Sequence, residues 1–262
     1  MSRVVALLGV SPCNTWFTPA NIGRSLRSLQ ACYEEVAFIT TGPLIAHTLR
    51  AAGCKTPVKT AIRNHKKVCR NCVKAAEPGP AVPLLTLEPF MQTPEYAAAR
   101  KQVEDLWSRG KATAQDRAQG RTQDRVRSEV LSAGDGDAVA RLFCKDVQEA
   151  VDPVLRQALK SRGRAPGLGP LPAVVIEEGA QYLLAELAVV RLLPLLFSVM
   201  MPASPQALTE AKKEQAIVDE GQVELHLVYN RPMHLINAYI QGARYGLPPV
   251  ANIKTHQYPL SV

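Results

Sequence analysis

The short run Val4 to Val10, "VVALLGV", restricts the fold more than any other stretch of the chain. A continuous apolar run of this length suits a strand covered by helices on both faces. It breaks into "SPCN", and Thr18-Pro19 then supplies a helix cap and a proline suited to the first helical position. The spacing predicts a helix from Pro19 to Glu35. A second apolar run, Val36 to Gly42, reads as a strand, and a short helix closes near Ala52-Gly53. Strand, helix, strand, helix opens a Rossmann-like parallel sheet with flanking helices, so the predicted fold class is α/β.

A chain of 262 residues can bury a substantial core, and residues 1–262 are expected to form a single domain. Its six scattered cysteines are therefore expected as reduced thiols rather than staples. The N-terminus has no basic segment, long apolar stretch and small-residue cleavage site of a secretory signal, so a cytoplasmic protein is expected. The run Leu183 to Met201 has the length of a bilayer span but carries Glu186, Arg191 and Pro194. Charges near a helix centre oppose insertion by roughly 3 kcal/mol each, so it reads as a buried helix and no membrane is expected.

Lysine and arginine number 31 against 23 acidic residues, a net charge of +8. Lys55, Lys59, Arg63, Lys66, Lys67, Arg70 and Lys74 crowd one segment that has no acidic residue until Glu77. Thr56-Pro57 opens a helix there, lasting to about Ala76. On it Lys59, Arg63, Lys66, Arg70 and Lys74 share one face, with Val58, Ile62, Cys69, Cys72 and Val73 assigned to the other. Such a row calls for an anionic partner.

Farther on, Ala81 to Leu87 reads as a strand and Pro94 to Ser108 as a helix. A polar, basic insert near 109–128 repeats AQDR, AQGR and TQDR, and the sequence leaves open whether it is helical or solvated. Helices are expected over Asp137 to Lys160 and Ala173 to Phe197. "QVELHLVYN" alternates as a strand, and "PMHLINAYIQGARYGL" as a final helix.

Ser11 ends the first strand, and ligands of parallel sheets bind beyond the carboxyl ends of the strands. A hydrolase elbow would need the next N–H for its oxyanion hole, and Pro12 has none. Alone, Ser11 reads as a turn residue rather than a nucleophile. Tyr182 and Glu186, at i and i+4 in an apolar helix, form a second cluster. A buried carboxylate needs a partner, either Arg191 or a cation on a ligand.

Together these stretches resemble the tRNA-dependent cyclodipeptide synthases. "LLGVSPCNTWF" resembles that family's first strand and serine, the basic helix its tRNA-binding helix, and "QYLLAEL" its Tyr-x-x-x-Glu motif. "LVYNRP" resembles the strand carrying its third functional tyrosine. The resemblance implies a fold like the catalytic domain of class I tyrosyl-type aminoacyl-tRNA synthetases, no cofactor, and aminoacyl-tRNAs as the partners. It implies an aminoacyl ester on Ser11 that a second aminoacyl-tRNA extends to a dipeptidyl-enzyme, which cyclises to a 2,5-diketopiperazine.

The resemblance also implies that Tyr182 and Glu186 hold the aminoacyl ammonium and that Tyr229 orients the acyl group or relays protons. Leu7, Gly9 and Asn14 match substrate-contacting positions. Lys59, Arg63, Lys66, Lys67, Arg70 and Lys74 would contact tRNA. Asn230 stands where the family places histidine or proline, a departure that leaves room for a divergent branch such as the arginine-containing synthases. Glu178, one turn before Tyr182, would add a second carboxylate for a cationic side chain, or would simply be solvated near the helix start.

Two other functions compete. A noncatalytic RNA-binding module would need the basic row but not Tyr182 and Glu186. A serine hydrolase or acyltransferase would need a histidine beside Ser11, and no spacing singles one out. His65, Cys69 and Cys72 lack an evident fourth ligand, so no metal is expected. No obligate protein partner is evident in the sequence.

Overall fold

The computed structural model describes residues 3–118, 136–160, 162–163, 167, 169–194, 197, 223–229 and 234–257. Among the described residues five strands form one sheet: β1 (Arg3–Val10), β2 (Glu35–Thr40), β3 (Leu84–Thr86), β4 (Val223–Tyr229) and β5 (Ile253–Gln257). Their order is β3-β2-β1-β4-β5, and every pairing is parallel. The chain thus leaves β1 toward β2 and β3 on one side and returns to β4 and β5 on the other. The order reverses between β1 and β4, where a crevice opens at the carboxyl ends of such a sheet.

Both faces of β1 are covered, as its unbroken apolar run requires. Val5 and Leu7 join the larger core. Ala6, Leu8 and Val10 join a smaller one beneath α1 (Pro19–Gln30) and α3 (Pro57–Ala76). The larger core gathers α2 (Ala46–Ala51), α4 (Pro94–Ala118), α5 (Gly136–Lys160), α6 (Ala173–Val190) and α7 (His234–Gln241). Within it α6 is the inner helix, buried without interruption from Tyr182 to Val190.

Several predicted boundaries move for identifiable reasons. The helix expected to reach Glu35 stops at Gln30, because the Glu35 carboxylate takes two hydrogen bonds from Arg3 and the segment joins β1 as strand. The helix expected to end at Ser108 continues to Ala118, into the predicted insert; residues 119–128 of that insert lie outside the described residues. The long helix expected to reach Phe197 ends at Val190, with Arg191 turning out to the carbonyl of Pro248. Strand β5 has no counterpart among the expected elements. No helix among the described residues is long and apolar enough to cross a membrane.

The face assignment of α3 also changes. Val58, Ile62 and Val73 are exposed at 51%, 40% and 61%, whereas Ala61, Val68 and Cys72 are buried. The buried row is narrow and made of small or medium side chains, so Ile62 and Val73 lie beside the cations rather than opposite them.

Candidate active site

A cavity of about 790 Å³ lies at the carboxyl ends of β1, β2 and β4, bounded by α5, α6 and α7. Its wall includes Gly9, Ser11, Asn14, Tyr182, Glu186 and Tyr229, brought together from stretches of sequence far apart in the chain. Leu7 does not reach it: fully buried on β1, it packs into the larger core. Glu178 also stays outside. Its carboxylate receives Arg50 at 2.5 Å and His47 at 3.0 Å, and these bonds outweigh partial burial to hold it below the usual carboxylate range. Asn230 lies outside the described residues.

Gly9 is required by close approach. A methyl group there would stand 2.6 Å from Cε1 of Tyr229, so only glycine lets the tyrosine ring lie across the end of β1. The register agrees, since Leu8 pairs with Val228 and the next step sets Gly9 beside Tyr229.

Ser11 is followed by a turn in which the Asn14 N–H donates to the Ser11 carbonyl and the Asn14 side chain accepts from the Trp16 N–H. Helix α3 ties this loop down. Asn64 donates to the Cys13 sulfur at 3.5 Å, and Asn71 donates to the Phe17 carbonyl at 2.8 Å. The helix that carries the basic row thus also holds the loop that carries Ser11.

Glu186 is only 7% exposed. The Arg191 partnership considered from sequence does not form: that guanidinium sits over the Tyr239 ring and bonds Pro248. No cation pairs with Glu186 among the described residues, and burial pushes its carboxyl up to about 7, moderated by a hydrogen bond from Tyr182. Burial and the nearby Glu186 raise both tyrosine phenols, Tyr182 and Tyr229, above their ordinary values. Around neutrality the Ser11 end of the cavity therefore presents the neutral phenols of Tyr182 and Tyr229 beside the Glu186 carboxyl, which is poised between its two protonation states.

Several polar lining residues were not singled out from the sequence. Cys13 faces the cavity two residues from Ser11, but burial raises its thiol pKa and keeps it protonated. Thr41 and Thr48 are buried at the wall. His234 is the one histidine of the five that lines the cavity. Among the described residues the Ser11 hydroxyl bonds to no histidine. His47 is engaged by Glu178, and His226 by Tyr33 and Glu224. Near the α5 side, Asp146 is held by Arg244 and Tyr245, whose hydrogen bonds overcome burial and keep it ionised.

On α3, Lys59, Arg63, Lys66, Lys67, Arg70 and Lys74 are all exposed, and among the described residues none pairs with a carboxylate. Lys59, Arg63, Lys66 and Arg70 border a shallow groove floored by Ile62, His65 and Cys69. The Cys69 sulfur contacts the His65 ring at 3.6 Å, and among the described residues no cluster is arranged to hold a metal ion.

The family model for cyclodipeptide synthases matches residues 2–138. No curated protein matches the chain. Among solved structures, a cyclodipeptide synthase of Staphylococcus haemolyticus superposes with a TM-score of 0.60 at 14% identity, covering 97% of this chain and 89% of that one. One from Bacillus thermoamylovorans gives 0.59 at 16% identity, covering 97% and 87%. A Mycobacterium tuberculosis protein, described as demonstrating that cyclodipeptide synthetases are related to type I tRNA synthetases, gives 0.52 at 16% identity, covering 96% and 83%. At these identities the superpositions establish a shared fold.

Proposed function

The chain belongs to the cyclodipeptide synthase family, an aminoacyl-tRNA-dependent group of transferases, and from that premise we propose that Ser11 carries the aminoacyl group during catalysis. The observation that supports this most is the convergence of Ser11, Tyr182, Glu186 and Tyr229 on one cavity at the point where the strand order reverses.

The Ser11 hydroxyl attacks the ester carbonyl of an aminoacyl-tRNA. A seryl ester forms, the bond to the terminal ribose oxygen breaks, and the serine proton ends on that oxygen. Because one ester replaces another, the step is close to balanced and a strong base is not essential. A second aminoacyl-tRNA extends the group to a dipeptidyl-enzyme. Its free amine closes on the seryl ester and releases the diketopiperazine and the serine hydroxyl.

Each bond-forming amine must first lose its ammonium proton. A free α-amino group titrates at roughly 7.7 to 8.0, and Glu186 titrates at about 7. The carboxylate can therefore hold the ammonium and take its proton without a large mismatch. Tyr182 supports that ion through its hydrogen bond to Glu186, and Tyr229 lies across Gly9 to orient the acyl group. The exposed cations of α3 contact tRNA phosphates. Asn64 and Asn71 on the same helix keep the Ser11 loop in place relative to that contact.

Expression in bacteria with mass spectrometry of the medium tests this reading. The wild type should release cyclodipeptides and Ser11→Ala none. Equal release by both would remove Ser11 from the reaction.

A further inference from the structure

We propose that Thr48, together with Thr41 on the same cavity wall, makes the cavity select an aminoacyl side chain bearing an uncharged hydrogen-bonding group over its apolar isostere. The proposal deepens the functional reading and rests on the cavity being the aminoacyl site.

Thr48 is 2% exposed and Thr41 9%, both line the cavity, and neither hydroxyl has a hydrogen-bond partner among the described residues. Thr41 lies near the Tyr182 phenol, close enough to ease its ionisation slightly, but without the geometry of a hydrogen bond. Thr48 sits in the short helix α2, where a threonine hydroxyl often bonds back to the carbonyl one turn earlier. Here it does not.

Apolar side chains from several elements share the wall with the two threonines. Ile39 closes it from β2, Ile45 from the turn before α2, Leu87 from the segment after β3 and Leu183 from α6. Gly42, at φ +55°, makes the left-handed turn out of β2 that brings α2 over this part of the cavity. Valine would fill the volume of Thr48 equally well and leave no polar atom behind.

A buried hydroxyl that stays unpaired is a standing penalty, relieved when a ligand supplies the missing partner. An apolar ligand would fill the space, exclude water and leave the hydroxyls unpaired. A hydroxyl, amide or ring N–H on the aminoacyl side chain would satisfy them. Sites that hydrogen-bond a substrate group reject the analogue lacking it far more strongly than apolar pockets reject a missing methylene. Among the cavity's carboxyl groups, Glu186 is reserved in this reading for the α-ammonium, Asp146 is held by Arg244 and Tyr245, and Glu149 pairs with Lys145, so the side chain that meets the threonines is an uncharged one.

The test compares cyclodipeptides released by bacteria expressing wild type, Thr48→Val and Thr48→Ser, with thermal unfolding of each purified protein. We expect wild-type products to contain a residue such as Ser, Thr, Tyr, Asn, Gln, His or Trp. In Thr48→Val the ratio of that product to the apolar-isostere product should fall at least tenfold, as from tyrosine toward phenylalanine, whereas Thr48→Ser should keep it within about threefold. The unfolding temperature of Thr48→Val should equal or exceed that of the wild type, since an unpaired group has been removed. Wild-type products built only of apolar residues, or an unchanged ratio in Thr48→Val, would overturn the proposal. A lower unfolding temperature for Thr48→Val would do the same, by showing that the hydroxyl is already bonded. If no product accumulates, the unfolding temperature decides alone. Ser11→Ala separates the two readings: product that persists there ends the seryl ester, while the Thr48 ratio stays measurable.

Discussion

The cavity and the outer face of α3 lie on either side of the Ser11 loop and treat charge in opposite ways. In the cavity, Glu186 is buried away from Arg244, which Asp146 holds at the α5 side, and is raised to about 7 with no cation paired to it among the described residues. The α3 face displays six cations in open solvent. Desolvation makes a single group in the cavity strong and pH-sensitive, because its protonation is set by burial. On α3 each charge is individually weak and screened by salt, so the row acts through number. One region is suited to chemistry on an ammonium and an ester, the other to recognition of a polyanion.

The largest effect expected from breaking this contrast is at Glu186. Glu186→Gln should lower cyclodipeptide formation by roughly 100-fold or more, as loss of a general acid-base group does. It should also change stability in a pH-dependent way. The folded-state value of about 7 lies above the ordinary 4.5, so folding favours the neutral acid. Wild-type stability is then highest below about pH 4.5 and declines as pH rises toward 7. The decline from this group amounts to about 3 kcal/mol. Urea unfolding at pH 5 and pH 8 should show Glu186→Gln more stable than wild type at pH 8 and close to it at pH 5. A wild type with no such decline would mean the carboxylate is already solvated.

Gly9→Ala comes next. The added methyl group must displace the Tyr229 ring it would meet at 2.6 Å. Strain of this kind costs typically 1 to 3 kcal/mol, with turnover falling at least tenfold as the ring leaves the cavity. Tyr229→Ala in the same chain should recover the stability but not the activity, which separates crowding from catalysis. Unchanged turnover in Gly9→Ala would show that the ring has no role.

Reversing Arg63, Lys66 and Arg70 together to Glu should weaken tRNA binding and reduce the slope of log affinity against log salt. Roughly one unit of slope disappears for each phosphate that is no longer neutralised. Unfolding should barely change, because these side chains are exposed and pair with no carboxylate among the described residues. A slope equal to the wild type's would place the tRNA elsewhere. The smallest effect is at Glu178, which is tied to Arg50 and His47 on the surface. Glu178→Gln should cost about 0.5 kcal/mol and leave the product profile unchanged. A cationic product that disappears would instead return Glu178 to the substrate pocket.

The two regions also differ in how far the sequence reveals them. The start of α3 and its basic row are local properties, carried by Thr56-Pro57 and a helical repeat, and both appear in the structure. The apolar side of that helix is misread from sequence because width, not periodicity, decides which of Ile62, Val68 and Val73 is covered, and the partner α1 buries only a narrow stripe. Ser11 is visible by its place at the end of the first strand, and Tyr182 and Glu186 as polar residues in an apolar helix. Thr41 and Thr48 are not, because a threonine in a helix or turn looks ordinary until its hydroxyl is found without a partner. Strand β5 has one strongly apolar residue, Ile253, and exists through its parallel pairing with β4. Likewise nothing near Glu178 in sequence announces Arg50, which arrives from α2.

The proposed reaction requires the aminoacyl group to rest on Ser11 rather than on the thiol two residues away. Incubation with aminoacyl-tRNA, acid quench and peptide mapping by mass spectrometry distinguishes the two. The expected result is an increment of one aminoacyl residue on the peptide containing Ser11, released by hydroxylamine, retained in Cys13→Ala and absent in Ser11→Ala. An increment that survives in Ser11→Ala and disappears in Cys13→Ala, or a wild type that forms cyclodipeptide with no covalent increment at any time, would rule the seryl ester out.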